Sequence, residues 1–315
     1  MLDYWLFAGG LVTLIYGGDR LVASAARIAA ARGLSPLAVG AVIVGLGTSA
    51  PELVTSLDAA LLGLPGIALG NVIGSNIANI LLILGLAATY RPLSIDPASA
   101  KRDIIYLLIA TALVLWALHT SQIERWMGFG LVILLGVYIA TLLRATDGAT
   151  AEANIVAKDS RDTGIASETS RHDAIWAIVG ISLLVGGAHY MVQGAIGIAE
   201  DFGISEATTG LILLALGTSL PELTVTLIAL ARNESELAIG NALGSTLFNL
   251  LGILGTTAML VPLAVPAEIL GVHVWVMTAA IVVLCIFLRT GWRLNRWEGL
   301  VLLGAYPTYL ATAFR

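Results

Sequence analysis

Residues 46–53 read Leu-Gly-Thr-Ser-Ala-Pro-Glu-Leu, and residues 216–223 read Leu-Gly-Thr-Ser-Leu-Pro-Glu-Leu. Downstream of each copy lies a further segment, and these two downstream segments also match each other. The shared residues of that pair are Gly70, Asn71, Gly74, Ser75 and Asn79, matched by Gly240, Asn241, Gly244, Ser245 and Asn249. The offset is 170 residues throughout, and 19 of the 41 pairs between 45–85 and 215–255 are identical. The chain therefore contains an internal repeat.

The composition is that of a membrane protein. The chain is 58% hydrophobic and 12% charged, with a mean hydropathy of +0.92, whereas a soluble domain is about 25% charged. We therefore expect the lipid bilayer to surround most of it. No basic patch of the kind that binds nucleic acid is present, and no obligatory protein partner is evident.

Hydropathy predicts an all-α polytopic fold with ten transmembrane helices, since a span needs about 20 mostly apolar residues. The predicted spans are roughly 4–26, 35–61, 66–89, 103–119, 126–143, 174–199, 205–231, 236–260, 268–288 and 297–314. The predicted domains are a five-helix repeat at 1–143 (alpha repeat about 35–89), a polar cytoplasmic linker at 144–173, and a second five-helix repeat at 174–315 (alpha repeat about 205–260).

Five spans per repeat is an odd number, so homologous halves must enter the membrane from opposite sides, as an inverted-topology repeat. The distribution of Lys and Arg indicates which side is cytoplasmic. With both termini outside, cytoplasmic loops carry thirteen of these residues and outside segments carry two. The positive-inside rule therefore favours an inner or plasma membrane protein with periplasmic or extracellular termini.

The repeated stretch places a carboxylate beside a helix-breaking proline within an apolar span. Pro51 lacks an N–H group and clashes with the carbonyl four residues earlier, so backbone carbonyls near Gly45–Thr48 lose helical partners. A carboxylate inside the membrane is a functional hypothesis by default. Because Ca²⁺ takes about six to eight oxygen ligands, two copies of the motif suit a calcium site. The candidate ligands are Thr48, Glu52, Thr218 and Glu222, with waters.

A polar face follows each copy. Ser75 and Asn79 are four residues apart, as are Ser245 and Asn249, so each pair shares a helix face. Asn71 and Asn241 leave two interpretations open, namely helix-cap or interhelical hydrogen bonds and ion ligation. Soft-ligand metals such as Zn²⁺ are disfavoured, since the sequence has no Cys or His cluster. Asp58 has Ile228 as its counterpart and is not part of the symmetric set.

At these residues the chain resembles the calcium/cation antiporter superfamily, specifically its prokaryotic sodium/calcium exchanger family. The resemblance implies that Glu52 and Glu222 are central carboxylates shared between Ca²⁺ and Na⁺. It implies further ligands in both repeats, with backbone carbonyls at the outer Na⁺ positions. The side chains are Thr48, Ser49, Ser75 and Asn79 with Thr218, Ser219 and Ser245, and the carbonyls are those of Gly45 and Ala215. The first and sixth spans would then slide together to alternate access.

These observations predict a secondary active antiporter that exchanges Ca²⁺ for Na⁺ at a midplane site. We expect no enzymatic activity and no cofactor, since Ca²⁺ and Na⁺ are the transported substrates. Asn249 argues against K⁺ co-transport, because potassium-dependent relatives carry an acid there. The proton-coupled branch usually has Gly-Asn-x-x-Glu, whereas Gly70-Asn71 continues to Gly74, which favours Na⁺. A proton/calcium antiporter and a cation channel remain alternatives.

Overall fold

The computed structural model describes residues 1–157, 165–201, 217–267 and 269–313. Side chains are described for these residues except 145–157, 165–170, 199–200 and 313. The described chain is helical apart from turns and four two-residue strands, which confirms the all-α prediction.

The helices of the first half are named in chain order, with three wider π-helical segments named separately. They are α1 (Leu2–Arg32), α2 (Pro36–Val39), π1 (Gly40–Val44), α3 (Gly45–Thr48), α4 (Ala50–Leu61), α5 (Pro65–Ile77), π2 (Ala78–Leu84), α6 (Gly85–Tyr90), α7 (Pro97–Leu118) and α8 (Arg125–Ala157). Those of the second half are α9 (Ile165–Asp201), α10 (Leu220–Ala231), α11 (Ser235–Leu247), π3 (Phe248–Ile253), α12 (Leu254–Leu260), α13 (Val272–Arg289) and α14 (Arg296–Ala313).

Helical residues occur in each of the ten predicted spans, although 205–216 of the seventh lie outside the described residues. Six helices of the described residues are long and apolar enough to cross a membrane, or seven if 36–61 is one interrupted span. Within the most apolar stretch of each helix, 78% of the residues in 65–90 and 94% of those in 235–260 are buried in protein. The corresponding share in the other four helices is 28–39%. These two spans are the most buried of the six helices.

The described chain forms two compact units that are discontinuous in sequence, one of residues 1–48 and 139–241, the other of 49–138 and 242–315. In the first unit, α1 and α9 pack along most of their length. Gly10 lies against Gly187, and Gly17 lies against Gly180, so the two helices run antiparallel. A Cβ on Gly17 would lie 2.8 Å from the Gly180 carbonyl oxygen, so small residues allow this approach.

In the second unit, equivalent helices of the two repeats make equivalent contacts. Gly85 of α6 lies against Gly299 of α14, and Gly255 of α12 lies against Gly128 of α8. The strands β1 (Leu93–Ser94) and β4 (Arg293–Leu294) are antiparallel partners, as are β2 (Gln122–Ile123) and β3 (Leu263–Ala264). β1 and β3 occupy corresponding places in the two repeats, and each pairs with a strand from the other repeat.

Candidate cation site

In both repeats a helix begins immediately after the serine of the motif, and in the first repeat a short helix also ends just before it. Ser49 lies between α3 and α4 with φ −85° and ψ 9°, and Ser219 precedes α10 with φ −90° and ψ 5°. Pro51 and Pro221 then lie in the first turn of α4 and α10, where a missing N–H has no helical partner to lose. The local backbone is therefore the same in the two copies, as the repeated proline predicts.

The glutamate of each motif lies in the first turn of the helix that follows the break. Glu52 and Glu222 are each 1% exposed. The positive end of a helix dipole favours a carboxylate in this position, by about 0.3–1 kcal/mol at an exposed site and more when partly buried. The two carboxylates therefore have matching local surroundings, since each is buried and lies in the first turn of a helix.

Most of the other predicted ligands are also buried. The side chains that are at most 3% exposed are Thr48, Ser49, Ser219, Ser75, Ser245, Asn79 and Asn249. The backbone of Gly45 is buried, and Thr218 is partly exposed. Ala215 lies outside the described residues.

In the second unit, Glu52 belongs to a helix that packs against the segment carrying Asn249. Both α4 and α5 contact π3, and α5 carries Ser75 and continues into π2 with Asn79. The side-chain oxygens and nitrogens of Asn79 and Asn249 are buried and make no hydrogen bond within the described chain. Buried polar groups without partners are rare in native proteins, so these two amides suit the role of ligands.

Asn79 and Asn249 lie in π-helical segments, a feature that the sequence analysis did not predict. Each is the second residue of its segment, π2 or π3. Single π-helical turns inside α-helices are frequent at functional sites. The π-helical segment begins at the same point of both repeats, at Ala78 and at Phe248, three residues after Ser75 and Ser245.

The structure shows the interhelical hydrogen bond that was one of the two interpretations of Asn71. Its side-chain amide nitrogen donates to the backbone carbonyl of Glu52 at 3.0 Å and to the Ser56 hydroxyl at 2.9 Å, so it bridges α5 and α4. The amide nitrogen of Asn71 therefore makes an interhelical hydrogen bond. Since Asn71, Ser75 and Asn79 follow each other at intervals of four residues, the bridge fixes how α5 is turned toward α4.

Asn241 makes the equivalent bridge in the first unit. Its amide nitrogen donates to the Glu222 carbonyl at 3.2 Å and to the Thr226 hydroxyl at 3.0 Å. Its amide oxygen also accepts a hydrogen bond from Thr48 at 3.2 Å. Ser56 and Thr226 were missed by the sequence analysis. Ser56 and Thr226 are equivalent positions of the two repeats, and both carry a hydroxyl group. Because they are different residue types, a count of identical pairs does not include them.

The remaining acids of this region do not join the set. Asp58 is exposed on α4, and Asp19 of α1 pairs with Arg232, with 2.9 Å between its carboxylate oxygen and the arginine Nε. No group of three or more His, Cys, Asp or Glu side chains that could hold a metal occurs within the described ranges. An ion bound near Glu52 or Glu222 would therefore need hydroxyl, amide and carbonyl oxygens as well, which suits Ca²⁺ and Na⁺.

Comparison with known proteins gives concordant results. Residues 2–144 and 172–315 match the profile of the family described as sodium/calcium exchanger protein. The sodium/calcium exchanger MaX1 of Methanosarcina acetivorans is 33% identical over 99% of both chains. The inner membrane protein YrbG of Escherichia coli is 31% identical over 97% of this chain and 94% of its own. A structure of the sodium-calcium exchanger NCX_Mj, soaked with 10 mM Na⁺ and no Ca²⁺, superposes with a TM-score of 0.83 at 30% identity over 98% of both chains.

Proposed function

Because the chain belongs to the sodium/calcium exchanger family, we propose that it exports cytoplasmic Ca²⁺ in exchange for external Na⁺ by alternating access. The family comprises membrane ion exchangers and not enzymes. NCX_Mj has been soaked with Na⁺, Ca²⁺ and Sr²⁺ in studies of extracellular ion exchange. The observation that carries the proposal is a buried glutamate in the first turn of a helix that begins after the motif serine, present in both repeats. An inner membrane location accords with the description of YrbG.

We propose that the two motifs contribute to one midplane cation site. Glu52 and Glu222 supply two negative charges, which neutralise one Ca²⁺ or two Na⁺. Charge alone then makes occupancy by the two ions mutually exclusive, as an exchanger requires. The neutral ligands proposed for this site are Thr48, Ser49, Ser75 and Asn79 with Thr218, Ser219, Ser245 and Asn249, and the carbonyls of Gly45 and Ala215.

The same proposal includes ten spans arranged as two inverted repeats. Antiparallel packing of α1 on α9 supports it, because these helices are equivalent in the two repeats and an inverted repeat reverses one of them. The strand pairs give independent support. β1 pairs with β4 and β2 with β3, and in each pair both loops fall on the same side in the topology predicted from Lys and Arg.

Calcium uptake into proteoliposomes tests the function. Vesicles loaded with Na⁺ and diluted into Na⁺-free medium with ⁴⁵Ca²⁺ should accumulate Ca²⁺, and replacing internal Na⁺ by K⁺ should abolish uptake. A pH gradient without Na⁺ should drive little uptake. Equal uptake under the proton gradient would assign the protein to proton/calcium exchange instead, and Ca²⁺ flux down its own gradient without a counter-ion would indicate a channel.

The stoichiometry is tested in the same vesicles. Two Na⁺ per Ca²⁺ is electrically neutral, whereas a third Na⁺ moves one net charge, worth about 2.3 kcal/mol per 100 mV. We propose the electrogenic case. The rate of uptake should therefore depend on a membrane potential set with K⁺ and valinomycin. A rate that is independent of the potential would indicate a stoichiometry of two Na⁺ per Ca²⁺.

A further inference from the structure

The two strand pairs of the second unit differ in charge. The segments around β1 and β4, residues 90–103 and 289–298, contain six basic and three acidic side chains. The segments around β2 and β3, residues 119–125 and 260–271, contain one basic and two acidic side chains. Pairing of β1 with β4 brings the six cations together at one end of the unit. They are Arg91, Lys101, Arg102, Arg289, Arg293 and Arg296.

The acidic side chains of the β1 and β4 segments are engaged in local structure. Asp96 caps the N-terminus of α7. Asp103 is buried and accepts a hydrogen bond from Arg102 Nε at 2.9 Å. Glu298 accepts one from the backbone N–H of Asn295 at 2.8 Å. These carboxylates therefore have roles of their own, and the cations remain in excess.

Two of the six cations lie beside one aromatic ring. Lys101 Nζ is 5.4 Å from the centroid of the Trp292 ring, and Arg289 Cζ is 5.6 Å from it. Both cationic residues are exposed, and neither forms an ion pair within the residues that the structure describes. Like charges held near each other repel, so an anion that contacts both would be attracted by both.

Trp292 has a backbone conformation that is unusual for a bulky residue. Its φ is +56°, in the left-handed region. Its carbonyl oxygen accepts a hydrogen bond from the N–H of Ile95 at 3.0 Å, which ties it to the segment that follows β1. Strained residues of this kind are frequent at ligand-binding sites. The fold therefore maintains Trp292 beside the two cations at a cost in backbone strain.

The first unit treats its basic residues differently. Arg27 pairs with Asp173, with 2.7 Å between Nε and the carboxylate oxygen, and Arg232 pairs with Asp19. The positive-inside rule accounts for Lys and Arg in loops on one side of the membrane. It does not require that such residues lack acidic partners. The arrangement around Trp292 therefore needs a further explanation.

Exposed aromatic residues indicate that this surface lies at the membrane boundary. Tyr90 is the last residue of α6, Trp297 is the second residue of α14, and both are exposed. Arg296 links the two segments by donating to the Tyr90 carbonyl oxygen at 3.4 Å. Tyr and Trp are enriched at the interface between membrane and water, and anionic phospholipid headgroups there attract basic clusters.

We propose that Lys101, Arg289 and Trp292 form a binding site for the phosphate headgroup of an anionic phospholipid such as phosphatidylglycerol. In the topology predicted from Lys and Arg, this lipid belongs to the cytoplasmic leaflet. The two cations select an anionic headgroup over a zwitterionic one, because a zwitterionic headgroup brings a positive charge of its own. The inference goes beyond the proposed function, since it does not depend on which ions are transported.

The test measures lipid binding next to β1 in the full-length protein in detergent micelles. Ser94→Cys, at an exposed position of β1, is labelled with bimane in a Cys285→Ala background. Phosphatidylglycerol with a 5-doxyl group should quench the bimane at a lower mole fraction than phosphatidylcholine with the same group. With the label at Ala264→Cys of β3, the two lipids should quench equally. Equal quenching by both lipids at position 94 would overturn the proposal.

Charge variants test which residues hold the headgroup. Lys101→Gln and Arg289→Gln should each raise the mole fraction of phosphatidylglycerol for half-maximal quenching about fivefold, the factor expected for one cation near an anionic surface. Lys101→Arg keeps the charge and should bind as the wild type does. Arg125→Gln removes an exposed cation beside β2 and should have no effect. Unchanged binding in both glutamine variants would overturn the proposal.

Two measurements on the unsubstituted binding surface complete the test. Raising NaCl to 0.5 M should weaken quenching by phosphatidylglycerol and leave that by phosphatidylcholine unchanged, because salt screens exposed charges. Quenching by phosphatidylglycerol that is insensitive to salt would contradict an electrostatic site. Soluble glycerol phosphate should not displace the labelled lipid. If it competes as well as unlabelled phosphatidylglycerol, the site binds free phosphate compounds and the lipid proposal is wrong.

Discussion

Replacing Glu52 by Gln removes one negative charge and keeps the size of the side chain. In the proposed site this leaves one carboxylate, Glu222, against the two charges of Ca²⁺. We expect Glu52→Gln to insert and fold, because Gln keeps the size and polarity of a side chain that is 1% exposed. The variant should bind Ca²⁺ much more weakly than the wild type.

The size of the loss follows from burial. Removing one partner of a buried ion pair costs about 3–5 kcal/mol, because the other charge is left uncompensated. At about 1.4 kcal/mol per tenfold, the Ca²⁺ dissociation constant should rise by roughly two to three and a half orders of magnitude. A Ca²⁺ concentration 100 times the wild-type constant stabilises the wild type by about 2.7 kcal/mol. The same concentration should stabilise the variant by less than about 0.5 kcal/mol.

The assay is thermal unfolding of purified protein in detergent, with and without Ca²⁺, followed by ⁴⁵Ca²⁺ uptake. Asp58→Asn is the matched control, since it removes the same charge from an exposed position of the same helix, α4. The control should retain both the Ca²⁺-induced shift and transport. Near-normal uptake by Glu52→Gln, or a Ca²⁺-induced shift equal to that of Asp58→Asn, would refute the assignment of Glu52 as a ligand.

Two further predictions test the architecture. Cysteines placed at Ser94 and Ala264, which are exposed and equivalent in the two repeats, should react with an impermeant thiol reagent from opposite sides, the second from outside. Labelling from one side, in a background without the native cysteine, would contradict the inverted repeat. Gly17→Ala should destabilise the protein by about 1–3 kcal/mol through overpacking against α9, measured by thermal unfolding. Gly9→Ala, whose Cβ meets nothing within 4 Å, should be neutral, and equal stability of the two would contradict the close packing.

The sequence predicts the coarse architecture because the membrane imposes strong rules. A bilayer requires about 20 apolar residues per span and internal backbone hydrogen bonding, so hydropathy locates the helices. The break at Ser49 was also predictable, since the proline two residues later removes a backbone donor. The family, inferred from the paired motifs, is confirmed by the profile match over both halves.

The details that escaped prediction depend on contacts between helices. Periodicity places Ser75 and Asn79 on one face of an α-helix, and it carries no signal for the π-helical turn that begins at Ala78. The roles of Asn71 and Asn241 were left open, because a polar residue in an apolar helix suits hydrogen bonding and ligation equally. The hydrogen-bonding role became visible only with the neighbouring helix, which supplies a carbonyl and a hydroxyl to each amide nitrogen.

The asparagine bridges also bear on how a helix break can be stable in a membrane. An interrupted helix must remain positioned without a continuous backbone ladder, and in lipid each unsatisfied polar group is costly. Each bridge ties the first turn of α4 or α10 to the neighbouring helix through the glutamate's own carbonyl, at 3.0 Å for Glu52 and 3.2 Å for Glu222. The carboxylate therefore extends from a backbone that is held by hydrogen bonds independent of any ion. In the proposed site, such a residue would release Ca²⁺ and take up Na⁺ without its helix shifting, as alternate occupancy of the same two carboxylates requires.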